Sequence, residues 1–198
     1  MLTSLPNILT LSRIVVIPVI VALFFVPGPS AAYTACALFA AAGITDWFDG
    51  YLARAWREES VIGKFLDPIA DKLLVAAVLM MLVAVDKVAG WAVIAAVVIL
   101  LREVMVSGLR EFLAGLQVGV PVSRLAKWKT GIQMGAIGVL IVGDDGPGWL
   151  PTTLIGEAGL WVAALLTLVT GWDYLRAGLR HMLAPLPEKP PRATEVRT

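Results

Sequence analysis

The chain has 198 residues, 59% of them hydrophobic, with a formal net charge of +1 and a single cysteine. Such a composition is too apolar for a soluble domain of this size. Cys36 alone leaves no intrachain disulfide to form, and no nucleic acid is expected among the partners.

Apolar stretches of bilayer length recur at about 8–26, 31–54, 63–85, 88–113, 127–143 and 153–176. The expected architecture is therefore an all-α integral membrane protein with six transmembrane helices. Residues 1–182 form the membrane domain. The Pro-rich ending APLPEKPPRATEVRT cannot bury a core, so 183–198 is expected to be a disordered cytoplasmic tail. The small residues of PGPSAAYTA follow the first apolar run as a signal-peptide cleavage site would. Met1–Asn7 has no basic region, however, and the run from Ile8 is long enough to span, so retention of this segment is expected.

In chain order, LPNILTLSR opens the first span. Pro6 suits an early helical position, and Asn7 can cap backbone amides there. Asn7, Thr10 and Arg13 recur every three residues and draw a polar strip along one end of an apolar helix. PGPS at 27–30 turns the chain, and the second span descends to TDWFDGYLAR. On a helix, residues three or four apart share a face, so Asp46, Asp49, Gly50 and Ala53 line one side. The polar link AWREES follows. Gly63, Asp67, Ala70 and Asp71 then line one side of the third span.

The short link allows the two helices to pair antiparallel, with four carboxylates converging where glycine and alanine leave room. Hard divalent cations take oxygen ligands, and Mg²⁺ commonly combines a few carboxylates with substrate phosphates. Trp47 and Trp56 read as interfacial anchors. Pro68, between the second pair of aspartates, has no N–H to offer the Lys64 carbonyl, an irregularity tolerated at membrane depth where it lines a cavity.

The fourth span ends in LREVMVSGLREFLAG. Glu103 and Arg110, seven apart, share a face, which permits an internal ion pair. Arg102 lies inside the apolar run, where a guanidinium needs an anion. Glu103 points about 100° away on a helix, which makes a substrate phosphate the better partner. In SRLAKWKTGIQMG, Lys127 and Lys129 are two apart and cannot share a stripe, so one faces the site and the other the headgroups. Gly131 and Gly135 form G-x3-G, a close-packing pattern that serves interfaces and intrachain contacts alike. GDDGPGWLPTT is a connecting loop, and the sixth span stays apolar until Asp173, Arg176 and Arg180. With six spans, one side holds both termini and 15 of the 16 basic residues, and the other only Lys87. The positive-inside bias puts the termini and the aspartates at the cytoplasm, in the inner (plasma) membrane.

The pattern D-x2-D-G-x2-A-R-x8-G-x3-D-x3-D over residues 46–71 is complete. It resembles the signature of the CDP-alcohol phosphatidyltransferases, membrane enzymes of phospholipid synthesis. That resemblance implies CDP-diacylglycerol as donor, CMP as leaving group and Mg²⁺ as cofactor, in two ions with Mn²⁺ a possible substitute, held by Asp46, Asp49, Asp67 and Asp71. It also implies that Gly50, Ala53, Arg54, Ser60 and Gly63 shape the nucleotide pocket, with Asn7 and Thr10 bordering it. Asp71 would deprotonate the acceptor hydroxyl. Spacing alone does not tell base from ligand.

The opening P-N-x-L-T-x2-R and the blocks TDWFDG, GKFLDPIADK, REVMVSGLRE and AKWKTGIQ are similar to the branch of that family whose acceptor is sn-glycerol 3-phosphate and whose product is phosphatidylglycerophosphate. Arg102, Arg110, Lys127 and Lys129 match the branch's basic positions and imply an acceptor-phosphate site. Sibling enzymes use inositol phosphate, or phosphatidylglycerol in cardiolipin synthesis. The family also implies a homodimer.

Two other classes compete. A transporter's cation path would distribute acidic groups across the bilayer, whereas all four aspartates sit at one depth amid arginines that repel cations. An intramembrane aspartyl protease needs paired aspartates but no phosphate-binding arginines. Metals and arginines together point to phosphoryl transfer, where catalysis is mostly positioning and charge neutralisation.

Overall fold

The computed structural model describes residues 5–56, 61–115 and 124–182, with side chains left out of the description at 5–8, 46–56, 61–65, 67–68, 124, 177 and 180–182. Among the described residues six α-helices carry the fold: α1 (Leu5–Leu23), α2 (Pro29–Trp56), α3 (Val61–Ala84), α4 (Ala92–Gly115), α5 (Arg124–Val142) and α6 (Thr152–Met182). No strand occurs among the described residues. The helices coincide with the six apolar stretches to within a few residues, except that α6 runs on to Met182.

Local chemistry sets the ends. Pro29 opens α2 at the position where its missing N–H costs nothing, straight after Gly28 at φ +109°. Beyond α3, Asp86 takes a left-handed φ of 58°, which a short polar side chain tolerates. The Val88 N–H closes this turn by donating to the Leu82 carbonyl at 3.0 Å. Beyond α5, Gly143 at φ +51° leads into a 3₁₀ turn (Gly143–Asp145). Lys87 reaches over from the α3–α4 turn and donates to the Ile141 carbonyl at 2.7 Å, the Val142 carbonyl at 3.1 Å and Asp145 at 3.2 Å. The last carbonyls of a helix lack intrahelical partners, and a cation there also favours the helix dipole.

α1 packs on α2 and α3, α5 on α6 and α2, and α4 chiefly on α6. The shared core contains Ile20, Phe39, Leu79, Leu82, Ile99, Ile137 and Leu160. Helices approach closely where side chains are small: a Cβ added at Gly156 or Gly159 of α6 would come within 2.5 Å of Leu140 or 2.9 Å of Ala136 on α5. The G-x3-G pair of α5 behaves differently. A Cβ at Gly131 or Gly135 would meet nothing within 4 Å, because both line an open groove of about 1240 Å³ between α5 and α2.

The exterior is apolar, with Val15, Met80, Leu101, Val104, Leu154 and Leu165 all well exposed. A helix bundle apolar both inside and out is a lipid-facing one. α4 and the stretch Thr152–Arg176 of α6 are long and apolar enough to cross a membrane. Exposed tryptophans stand towards both ends of the helices: Trp91 and Trp149 beside the α3–α4 and α5–α6 turns, Trp128 and Trp172 towards the opposite end. Two such belts suit the two interfaces of a bilayer.

Candidate active site

Three helices bring charge to one buried place, and a fourth adds a hydroxyl. α3 supplies Asp71 and Lys72, α4 supplies Arg102 and Glu103, α5 supplies Lys129 and Gln133, and α6 supplies Thr170. Lys129 and Gln133 are four apart and so project from the same face of α5. Glu103 is the hub. Lys129 Nζ donates to its Oε1 in a short contact, Arg102 Nη1 lies 3.5 Å from the same oxygen, and Lys72 Nζ lies 3.9 Å from Oε2. Arg102 is further tied to α6, where its Nη2 donates to Thr170 Oγ1 at 2.9 Å. Thr170 passes the chain on by donating to the Leu166 carbonyl at 2.8 Å. Gly171 makes room for this guanidinium, since a Cβ there would lie 3.1 Å from Arg102 Cγ.

Asp71, Lys72, Glu103, Lys129 and Gln133 together line a cavity of about 30 Å³. Among these five side chains and Arg102, three are cationic and two acidic. Such a place holds a cation only weakly and suits an anion once the carboxylates are engaged.

Of the predicted acceptor-binding residues, the structure brings Arg102 and Lys129 into this cluster, both buried. Arg110 and Lys127 are exposed, and Lys127 lines the groove between α2 and α5 instead. Of the two lysines, Lys129 is therefore the one that joins Asp71. The permitted pairing of Glu103 with Arg110 gives way to Lys129, Lys72 and Arg102. Arg102 reaches Glu103 despite their different helical directions, because an arginine's length outruns the 100° offset.

Thr10 and Arg13 are buried in α1, as the polar strip requires. Asp46, Asp49, Gly50, Ala53 and Arg54 fall in the last third of α2, and Gly63 and Asp67 in the first turns of α3. The side chains of these seven and of Asn7 lie outside the described residues, as does Ser60 altogether. The metal-site and nucleotide-pocket assignments fall mostly there, with Asp71 and Thr10 the described members.

Glu103's role as hub, Lys72, Gln133 and Thr170 were not singled out by the sequence. Each left a trace: an acidic residue inside an apolar run, a lysine beside Asp71, a glutamine one turn from Lys129, and a threonine next to Gly171. Which lysine meets which carboxylate depends on helix rotation, which spacing does not carry.

Residues 3–169 match the family model for CDP-alcohol phosphatidyltransferase. The chain belongs to that family. A CDP-alcohol phosphatidyltransferase of Rickettsia typhi, named CDP-diacylglycerol–glycerol-3-phosphate 3-phosphatidyltransferase, is 51% identical over 174 residues, covering 88% of this chain and 96% of its own. A protein of the same name from Rickettsia prowazekii is also 51% identical, over 88% and 94% of the two chains. Another from Escherichia coli strain K12 is 38% identical over 91% of this chain and 97% of its own. The chain is thus a transferase of phospholipid biosynthesis. In this family member the buried cations Arg102 and Lys129 lie on helices that pack against those of the signature aspartates, α4 on α3 and α5 on α2 and α3.

Proposed function

We propose that the chain transfers a phosphatidyl group from CDP-diacylglycerol to sn-glycerol 3-phosphate, giving phosphatidylglycerophosphate and CMP. One observation carries the choice of acceptor: relatives bearing that activity in their names match about nine-tenths of this chain and nearly all of their own length. The complete aspartate signature and the buried cations at Arg102 and Lys129 support it.

The same reading makes residues 1–182 a six-span domain of the inner membrane, with both termini, the tail 183–198 and the site on the cytoplasmic side. Its support is the 15-to-1 distribution of basic residues and the two tryptophan belts. A homodimer rests on the family resemblance.

Mg²⁺ or Mn²⁺ fits the donor set. Asp46, Asp49, Asp67 and Asp71 are four hard oxygen donors at the adjoining ends of consecutive helices, and they would hold two ions. When bound, such ions neutralise pyrophosphate charge and stabilise developing negative charge. Everything else falls to the chain's own residues. Arg54 with Gly50, Ala53 and Gly63 would seat the nucleotide, where small residues let the helices admit it. Lys129 and Arg102 would hold the acceptor's phosphate, with Glu103 keeping both extended in the meantime. Asp71, which lines the cavity beside Lys129, would take the proton from the acceptor hydroxyl as the new P–O bond forms and CMP leaves.

Purified protein given CDP-diacylglycerol, Mg²⁺ and one acceptor at a time tests this. CMP release is expected with sn-glycerol 3-phosphate, and little with inositol phosphate or phosphatidylglycerol. Faster release with either of those would reassign the chain to a sibling activity.

A further inference from the structure

We propose that Gln133 is a specificity-determining residue, whose side-chain oxygen accepts a hydrogen bond from the acceptor hydroxyl neighbouring the one that reacts. This rests on the acceptor assignment above and deepens it. Gln133 is 2% exposed, and its Oε1 has no hydrogen-bond partner. Buried polar oxygens are almost always paired, so an orphan inside a functional cluster points to a missing donor. Of the groups that line the same cavity, Lys129 and Lys72 both turn to Glu103, and the Thr130 hydroxyl donates to the Ala126 carbonyl at 3.1 Å.

The cavity that Gln133 shares with Asp71 and Lys129 says what the donor is. At about 30 Å³ it admits one hydroxyl-sized group and not a whole polyol phosphate. An ammonium donor would meet Lys72, Lys129 and Arg102, three positive charges, and be repelled. A neutral O–H carried on an anionic molecule satisfies both the orphan oxygen and the cations. With the reacting hydroxyl held by Asp71 at the mouth of the cavity, the adjacent hydroxyl of a vicinal diol is the one group that enters it and reaches Gln133. The recognised class is a small polyol phosphate with neighbouring hydroxyls.

Two acceptors that differ only in that hydroxyl test the idea: sn-glycerol 3-phosphate and 3-hydroxypropyl phosphate. In the wild-type enzyme kcat/KM is expected to favour the diol at least tenfold, because a site built around a hydroxyl rejects the analogue that lacks it. Gln133→Met, similar in length but without the oxygen, should shrink that preference at least fivefold and leave the KM for CDP-diacylglycerol unchanged. Gln133→Glu keeps the oxygen and should keep the preference, even if both acceptors bind more weakly. Where the Met variant does not fold, Gln133→Asn withdraws the oxygen by one methylene and should lower the preference likewise.

A wild-type preference below tenfold overturns the proposal whatever the variants do. So does a Met or Asn variant that loses activity on both acceptors equally, the mark of a purely structural amide. Failure of the acceptor assignment looks different: the wild-type enzyme would then release no CMP with sn-glycerol 3-phosphate.

Discussion

Replacing Glu103 by glutamine removes the one charge on which Lys129, Lys72 and Arg102 converge. The three cations do not suffer equally. Lys129 has only 4% of its side chain exposed, so it is left charged in a buried site. Stripping one partner from a buried ion pair costs about 3–5 kcal/mol. Lys72 is 27% exposed and can turn to water, and Arg102 keeps its bond to Thr170, so each adds about 0–1 kcal/mol. The glutamine still offers Lys129 an oxygen, recovering about 1 kcal/mol.

The expected net loss for Glu103→Gln is therefore about 2–6 kcal/mol. The reciprocal change Lys129→Met should cost less, about 1–2 kcal/mol, because Glu103 keeps Arg102 at 3.5 Å and Lys72 at 3.9 Å. Unfolding midpoints of the two single variants and the double, in one detergent, close the cycle. The double should be little worse than Glu103→Gln alone, a coupling of about 1–2 kcal/mol. Costs that add within about 0.5 kcal/mol, or a Lys129→Met variant less stable than Glu103→Gln, would refute the hub.

Three further outcomes are expected. Asp49→Asn and Asp67→Asn should each lose most activity with membrane insertion intact, and EDTA should abolish turnover with Mn²⁺ restoring it; near-normal rates at saturating Mg²⁺ contradict the metal assignment. Asp71→Asn should slow turnover about 10²–10⁴-fold while CDP-diacylglycerol affinity, measured on the same preparation, is kept; binding lost as severely as in Asp49→Asn would make Asp71 chiefly a metal ligand. Gly156→Ala drives a Cβ to 2.5 Å from Leu140 and should destabilise by about 1–3 kcal/mol, whereas Gly135→Ala meets open space and should gain about 0.5–1 kcal/mol; equal effects in thermal melts would contradict the packing described.

Helix placement was legible because a bilayer allows so few backbones: an apolar run of about 20 residues has to be helical throughout. The loops at PGPS and DKVAG were legible for the complementary reason, since Gly28, Asp86 and Gly90 supply the left-handed φ values the turns need. Periodicity also placed Asp71 and Lys129 towards the same end of the bundle. It could not say that Lys129 rather than Lys127 meets Asp71, because two lysines 200° apart fit either rotation of α5. Which glycines meet a neighbouring helix within the chain was not legible for a related reason. G-x3-G marks a smooth face but not what lies against it, and here the glycines in contact, Gly156 and Gly159, are on α6. Thr170 was invisible because it matters only through Arg102, 68 residues away in sequence.

The pairing of Glu103 with three cations also bears on why a substrate phosphate need not meet a preformed empty socket. Isolated cations at this depth would be costly to hold charged, and each would bend towards whatever oxygen it could reach. One carboxylate shared among Lys129, Lys72 and Arg102 removes that cost and fixes the directions of the two most buried side chains. It leaves the cluster one positive charge in excess when Asp71 is counted, so an arriving dianion gains from all three cations while displacing a single carboxylate. A neutral alcohol has nothing to offer in that exchange, and a zwitterion brings its own cation into the same field. On the proposed reading the acceptor's phosphate would be selected by what Glu103 already holds, and the choice among anionic acceptors would pass to the small cavity that Gln133 lines.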